Sequence, residues 1–246
     1  MKILVCVSKV PDTTTKITFT DNNTKFNKDK VQWIMNPTDE WYALVKGLEL
    51  KEKLGGTVTI INVGLDENEP IIRKGLAIGA DDAVRINVDE TDAYLVASQI
   101  ATYAKSENYD LILTGKETIN FNGYIVGGVI AEELDLPYVA LATSLDVVGT
   151  KATIKREIEG AEETVEVNLP LVVGAQKGIA EARIPNMRGI MAARTKPLKV
   201  VQPVNPEALT EVKLFEPPSP KKPVRLVSPD NVEELVELLH NEAKVI

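Results

Sequence analysis

Through the first two thirds of the chain, apolar runs of strand length alternate with apolar positions at helical spacing. Lys2 to Ser8 is a near-continuous apolar strand, and Val58 to Val63, Ala83 to Val88 and Leu111 to Thr114 repeat the pattern. Between these runs, Leu44, Val45, Leu48 and Leu54 mark a helix over Glu40 to Leu54, Ile72, Leu76 and Ala77 a second over Glu69 to Ile78, and Leu95, Ile100 and Ala104 a third over Asp92 to Lys105. Gly55-Gly56 and Gly79 stop the first two, and Asp92 is placed to cap the third. Strands without a polar face, separated by amphipathic helices, predict parallel βαβ units in an open α/β sheet covered on both faces. The C-terminal ends of such strands converge on one crevice, where ligands of this architecture bind.

Beyond Tyr138 the pattern changes. Ser144 to Val148, Thr153 to Glu159, Glu163 to Leu169 and Leu171 to Ala175 show the period-2 alternation and β-branched content of a meander, with a turn at Glu159-Gly160, and predict a small covering antiparallel hairpin region. Gln176 to Pro197 is irregular, and Pro203, Pro206, Pro217, Pro218, Pro220 and Pro223 mark a second irregular stretch. A run this long without periodicity reads as an interaction arm. Asn231 to Ala243 is a closing amphipathic helix with Ser228 and Asp230 as candidate caps. The division expected is an α/β domain over 1–200 and a Pro-rich arm with a terminal helix over 201–246.

One connection stands apart. The strand ending at Thr114 runs into Gly115-Lys116-Glu117-Thr118, then Asn120-Phe121-Asn122-Gly123, then Val126-Gly127-Gly128 at the start of a helix. Glycines at a strand-to-helix turn leave backbone N–H groups free at the positive end of the helix dipole, where a phosphate binds without any Arg. An ordinary strand-to-helix connection has the same composition, so this segment alone leaves both readings open.

Composition narrows the chemistry. The 246 residues, 44% of them apolar, suffice for a full core, and a formal charge of −8 argues against a nucleic-acid or anionic membrane surface. No apolar run reaches the ~20 residues of a bilayer span, and a cytoplasmic protein is expected. Cys6 is the only cysteine, so neither an internal disulfide nor a zinc cluster can form; it reads as a small buried hydrophobe. The only histidine, His240, lies in the terminal helix, and no Gly-x-x-x-x-Gly-Lys-Ser/Thr loop is present. Glu132 and Glu133 read as helix-dipole partners rather than acid–base groups. The chain reads as a binder, not an enzyme, and any redox work requires a bound cofactor. Local basic character is confined to Arg183, Arg188, Arg194, Lys196 and Lys199, then Lys221, Lys222 and Arg225, either a solvated face or a docking strip.

Five segments in order, Lys2 to Asp12, Met35 to Glu40, Ala77 to Asp81, Gly115-Lys116-Glu117 with Val126-Gly127, and Gly189 to Arg194, closely resemble the β subunit of electron-transfer flavoproteins over the whole chain. The resemblance implies an adenine nucleotide alpha hydrolase-like fold and a heterodimer with a homologous α subunit that carries most of the FAD. It implies AMP in the β subunit, or a second FAD in electron-bifurcating members that take hydride from NADH. Electron donors would be flavin dehydrogenases such as acyl-CoA dehydrogenases, and the acceptor a quinone oxidoreductase or similar protein.

By the same resemblance Cys6 and Val63 would wall the adenine pocket, and Asn36, Pro37, Thr38 and Asp39 would form the turn beside base and ribose. Gly115, Lys116, Glu117, Thr118, Asn120, Asn122, Gly123, Val126 and Gly127 would wrap ribose and phosphate. Residues 176–194 would be the loop that grips dehydrogenases, with Ile179 as its apolar anchor and Arg183 and Arg188 beside it. Departures are Asn120 and Asn122 where aspartates are common, Ile125-Val126 where Gln-Thr is usual with AMP, and Thr13 where an aromatic often faces the flavin. A stand-alone adenine-nucleotide sensor of the universal-stress type is the competing binder.

Overall fold

In the computed structural model, which describes residues 1–221 and 223–246, the strands in chain order are β1 (Lys2–Cys6), β2 (Lys9–Pro11), β3 (Phe19–Thr20), β4 (Lys25–Phe26), β5 (Trp33–Met35), β6 (Thr57–Val63), β7 (Asp82–Ile86), β8 (Leu111–Gly115), β9 (Tyr138–Val148), β10 (Lys151–Ile158), β11 (Ala161–Asn168), β12 (Leu171–Ala175) and β13 (Leu198–Val201). The helices are α1 (Asp39–Leu54), α2 (Glu69–Ile78), α3 (Ala93–Lys105), α4 (Ile125–Leu134), α5 (Met187–Ala193) and α6 (Val232–Glu237), the last running into a π-type turn over Leu238–Ala243. Lys222 of the basic run lies outside the described residues.

Nine strands form one sheet in the order β11-β10-β9-β12-β8-β1-β6-β7-β13. Pairing is parallel from β9 to β13 and antiparallel only where β10 joins β9 and β11. The mostly parallel α/β sheet with helices on both faces is therefore as expected. Alternation along each strand divides its side chains between two cores. Ile3 and Val5 of β1 join Leu44, Leu48, Ile72 and Leu76 under α1 and α2, whereas Leu4 and Cys6 join Leu95, Ile100 and Ile130 under α3 and α4.

Differences from the sequence pattern have local causes. The hairpin does not cover the sheet but extends its edge, and Leu171–Ala175 inserts between β9 and β8 as a fully buried parallel strand. Its continuous apolar run is what a doubly covered strand requires, a cue that outranks its place in the meander. Residues 198–201, just after Pro197, form the outer strand β13 on β7, too short to show a period. Glu132 and Glu133 lie in the last turn of α4, not its first, so the dipole role assigned to them fails. The terminal helix is capped by Asn231, whose side chain accepts from the Glu234 N–H, rather than by Ser228 or Asp230.

The arm returns to its own domain before it leaves. Val204 is tied to Gln99, Thr210 to Asp92, and the Phe215 ring stacks on Phe19 at 4.8 Å. Beyond it, α6 buries no residue, and Val232, Leu235 and Val236 are exposed. Among the described residues no helix is long and apolar enough to cross a membrane.

Candidate functional site

From β1 the chain builds outward through β6 and β7, then crosses to β8 on the other side of β1. Between β1 and β8 the connections leave in opposite directions, which opens a crevice at the strands' C-terminal ends. A cavity of about 260 Å³ lies there. Cys6, Val7, Ser8 and Lys9 continue from β1 into one wall, Val63 ends β6 in another, and Thr114 to Thr118 with Asn120, Phe121 and Gly123 form the third.

The predicted site residues divide into wall and support. Cys6, Val63, Gly115, Lys116, Glu117, Thr118, Asn120, Gly123 and Val126 line the cavity. Asn36, Pro37, Thr38, Asp39, Asn122 and Gly127 do not. Asn36 is fully buried; its amide donates to the Glu117 carbonyl at 3.0 Å and accepts from the Ile119 N–H at 3.3 Å, so it holds the loop over the cavity rather than facing into it. Asn122 sits at φ 50°, a left-handed conformation that Asn tolerates, and its N–H bonds to the Thr118 carbonyl at 2.8 Å to close the turn. A Cβ on Gly127 would lie 2.7 Å from the Tyr138 hydroxyl and 2.9 Å from Thr114 Oγ1, and one on Gly115 would lie 2.9 Å from Glu40 Cγ. Both glycines permit close packing behind the wall.

The wall is chemically mixed. Burial, with a smaller contribution from Glu40, pushes the Cys6 thiol far up, so it is an inert apolar surface. Glu40, 4% exposed, is pushed up to about 8 by burial and further by Asp39, against the opposing hydrogen bonds from Ser8. Glu90 is also raised by burial, with Lys9 opposing. Lys9 is buried, paired with Glu67, and lies over the Trp33 ring at 4.7 Å. Lys116 pairs with Glu117 at 3.3 Å.

One feature fits an anionic ligand. Tyr124, the N-cap residue of α4, makes no side-chain cap, so the first-turn N–H groups of the helix have no side-chain acceptor next to Gly123 and Val126 on the wall. The Thr114 hydroxyl is buried behind this wall, where it faces the Tyr138 hydroxyl beside Gly127. Among the described residues no acidic, His and Cys cluster suited to a metal occurs.

Sequence reasoning missed Ser8, Glu40, Glu90, Asp92, Thr210 and Val212 on this wall. Ser8 and Glu40 stood in recognised segments, but their mutual contact spans 32 residues. Thr210 and Val212 carry no local signal, because only the return path of the arm brings them here.

The loop residues expected to meet a partner differ in exposure. Ile179 is 3% exposed and packs in the core. The Arg183 guanidinium is paired with Glu52 at 2.6 and 3.1 Å and its carbonyl accepts from Trp41 Nε1 at 3.1 Å. Arg188 is exposed, and Ile184 and Met187 stand out at 83% and 72% exposure.

A family model described as Electron transfer flavoprotein domain matches residues 24–206. Electron transfer flavoprotein subunit beta of Bacillus subtilis is 38% identical over 262 residues, covering 100% of both chains. The human protein of the same name is 30% identical over 253 residues, covering 100% of this chain and 99% of its own. The acryloyl-CoA reductase electron transfer subunit gamma of Anaerotignum propionicum is 32% identical over 264 residues, covering 97% and 98%. With the sheet, the cleft and these likenesses in agreement, the chain belongs to the electron transfer flavoprotein β-subunit family.

Proposed function

We propose that this chain is the β subunit of a heterodimeric electron carrier and holds AMP as a structural nucleotide in the cleft between β1 and β8. The observation that carries the reading is the cavity itself. Its volume, about 260 Å³, lies just below the ~300–1,000 Å³ typical of small-molecule sites, and a mononucleotide is the ligand we assign to it. Cys6 and Val63 offer flat apolar surface to a base, and Thr114, Gly123 and Val126 lie where a phosphate meets the start of α4.

The electron chemistry belongs to a flavin seated mainly on the α subunit, and this chain's residues bind, orient and dock. The exposed α6 face packs on that α subunit. Residues 176–194 meet flavin dehydrogenases such as acyl-CoA dehydrogenases, for which the name of the Anaerotignum relative gives support. A quinone oxidoreductase or similar acceptor takes the electrons, and the site of action is the cytoplasm.

A second reading is favoured by Val126. A Thr there would offer a phosphate its hydroxyl and Val cannot; by the family resemblance Val-Gly at this point goes with members that hold a second FAD in a bifurcating complex. Co-expression with the α subunit, denaturation and identification of every released nucleotide test both. One flavin plus AMP per heterodimer supports the first, two flavins the second, and a native homodimer free of flavin overturns both.

A further inference from the structure

The first part of the C-terminal arm closes one side of the nucleotide cavity. Thr210 and Val212 stand on its wall, although they follow β13 and belong to no sheet or helix. Three attachments hold them there. The Gln99 carboxamide pairs with both backbone groups of Val204, donating to its carbonyl and accepting from its N–H at 2.9 Å each, as a neighbouring strand would. The Asp92 carboxylate accepts the Thr210 N–H at 2.9 Å and the Thr210 hydroxyl, while its other oxygen accepts the Leu95 N–H at 2.9 Å and caps α3. At the far end the Phe215 N–H donates to the Asn23 carbonyl at 2.8 Å, and its ring lies on Phe19.

Residues 204–215 thus form a strap one chain thick, pinned at both ends and at a central clasp on the cavity. Residues 204–214 are all exposed in the single chain, so no other element of this chain covers the strap from outside. The clasp closes on a buried carboxylate whose remaining oxygen already holds a helix, so Asp92 stays in place when the strap lifts. Lifting it removes two wall residues without disturbing a sheet hydrogen bond. We infer that this strap retains the nucleotide in the cleft, with Thr210 on Asp92 as the clasp that opens for exchange. The inference rests on the AMP reading above, and adds to it a wall and an exit that the family's nucleotide loop does not contain.

The test is exchange of isotope-labelled AMP from the full chain, purified with its α subunit and chased with excess unlabelled AMP. Thr210→Val removes the hydroxyl and keeps the backbone bond; Thr210→Ser restores it; Gln99→Leu releases the strap at a second point without touching the α3 cap. The expected result is release accelerated about tenfold or more in Thr210→Val and Gln99→Leu, the factor given by one lost hydrogen bond to a charged or buried partner, with wild-type release in Thr210→Ser. AMP bound at full stoichiometry with unchanged release in both variants overturns the strap and leaves the AMP reading standing. Absence of AMP from the wild-type complex overturns both. Amide hydrogen exchange at Val204 and Thr210 confirms in each variant which attachment has opened.

Discussion

The carboxylate of Glu40 is held by a single residue, Ser8, whose backbone N–H donates to one oxygen at 2.6 Å and whose hydroxyl donates to the other at 2.7 Å. Burial raises this carboxyl to about 8 in the folded chain, against an ordinary value of 4.5. Between those two values the folded state keeps a proton that the unfolded state has lost, so stability falls as pH rises, by at most about 1.4 kcal/mol per pH unit. Glu40→Gln, which cannot ionise, flattens that slope. Urea unfolding at several pH values from 5 to 8 reads it, and parallel slopes in variant and wild type would show that Glu40 does not titrate in this window.

Asn36 and Glu117 predict a positioning effect. Replacing Asn36 by Leu leaves the Glu117 carbonyl and Ile119 N–H without their partner, at a cost of about 1–3 kcal/mol. The loop over the cavity loosens, and AMP is lost although no contact to it was removed. Amide exchange at Ile119 measures this directly, and an unchanged rate with reduced AMP would return Asn36 to the base-contacting role.

Gly127 and Tyr138 predict a packing effect. Gly127→Ala forces the Tyr138 hydroxyl aside at a cost of about 1–3 kcal/mol. In a Tyr138→Leu background most of that cost disappears. Thermal midpoints of the two single variants and the double variant give the coupling; strict additivity would mean that the glycine does not act through Tyr138.

The loop over residues 176–194 predicts two unlike outcomes. Ile179→Ala opens a hole in the core and destabilises by about 2–5 kcal/mol. Met187→Asp leaves stability within about 0.5 kcal/mol of wild type but weakens electron transfer from an acyl-CoA dehydrogenase, read as a raised KM for the carrier complex. Equal KM values in Met187→Asp and wild type would remove this face from partner binding.

The mostly parallel sheet and its alternation of strands and helices were legible because doubly covered strands write continuous apolar runs, whereas the order of the strands, with Leu171–Ala175 between β9 and β8, was not. Asp92 was legible as a cap because its partner, Leu95, lies three residues on. Its second partner, Thr210, is 118 residues away and leaves no local trace. The burial of Ile179 was not legible for a related reason: an isolated isoleucine in an irregular stretch looks the same whether the chain turns it inward or outward. Asn36 and Asp39 were placed in the right turn, but a turn does not say which neighbour its amide faces.

Arg73 donates to the carbonyls of Ala193 and Lys196 at 2.9 and 2.8 Å, and the Lys196 ammonium donates to those of Leu76 and Ala80. These four acceptors are main chain, a feature any amino acid supplies, and Glu69 steadies the Arg73 guanidinium from within α2. Ile184, Met187 and Met191 are exposed and take no part in these bonds, so each can be exchanged while the hoop that displays it keeps its shape.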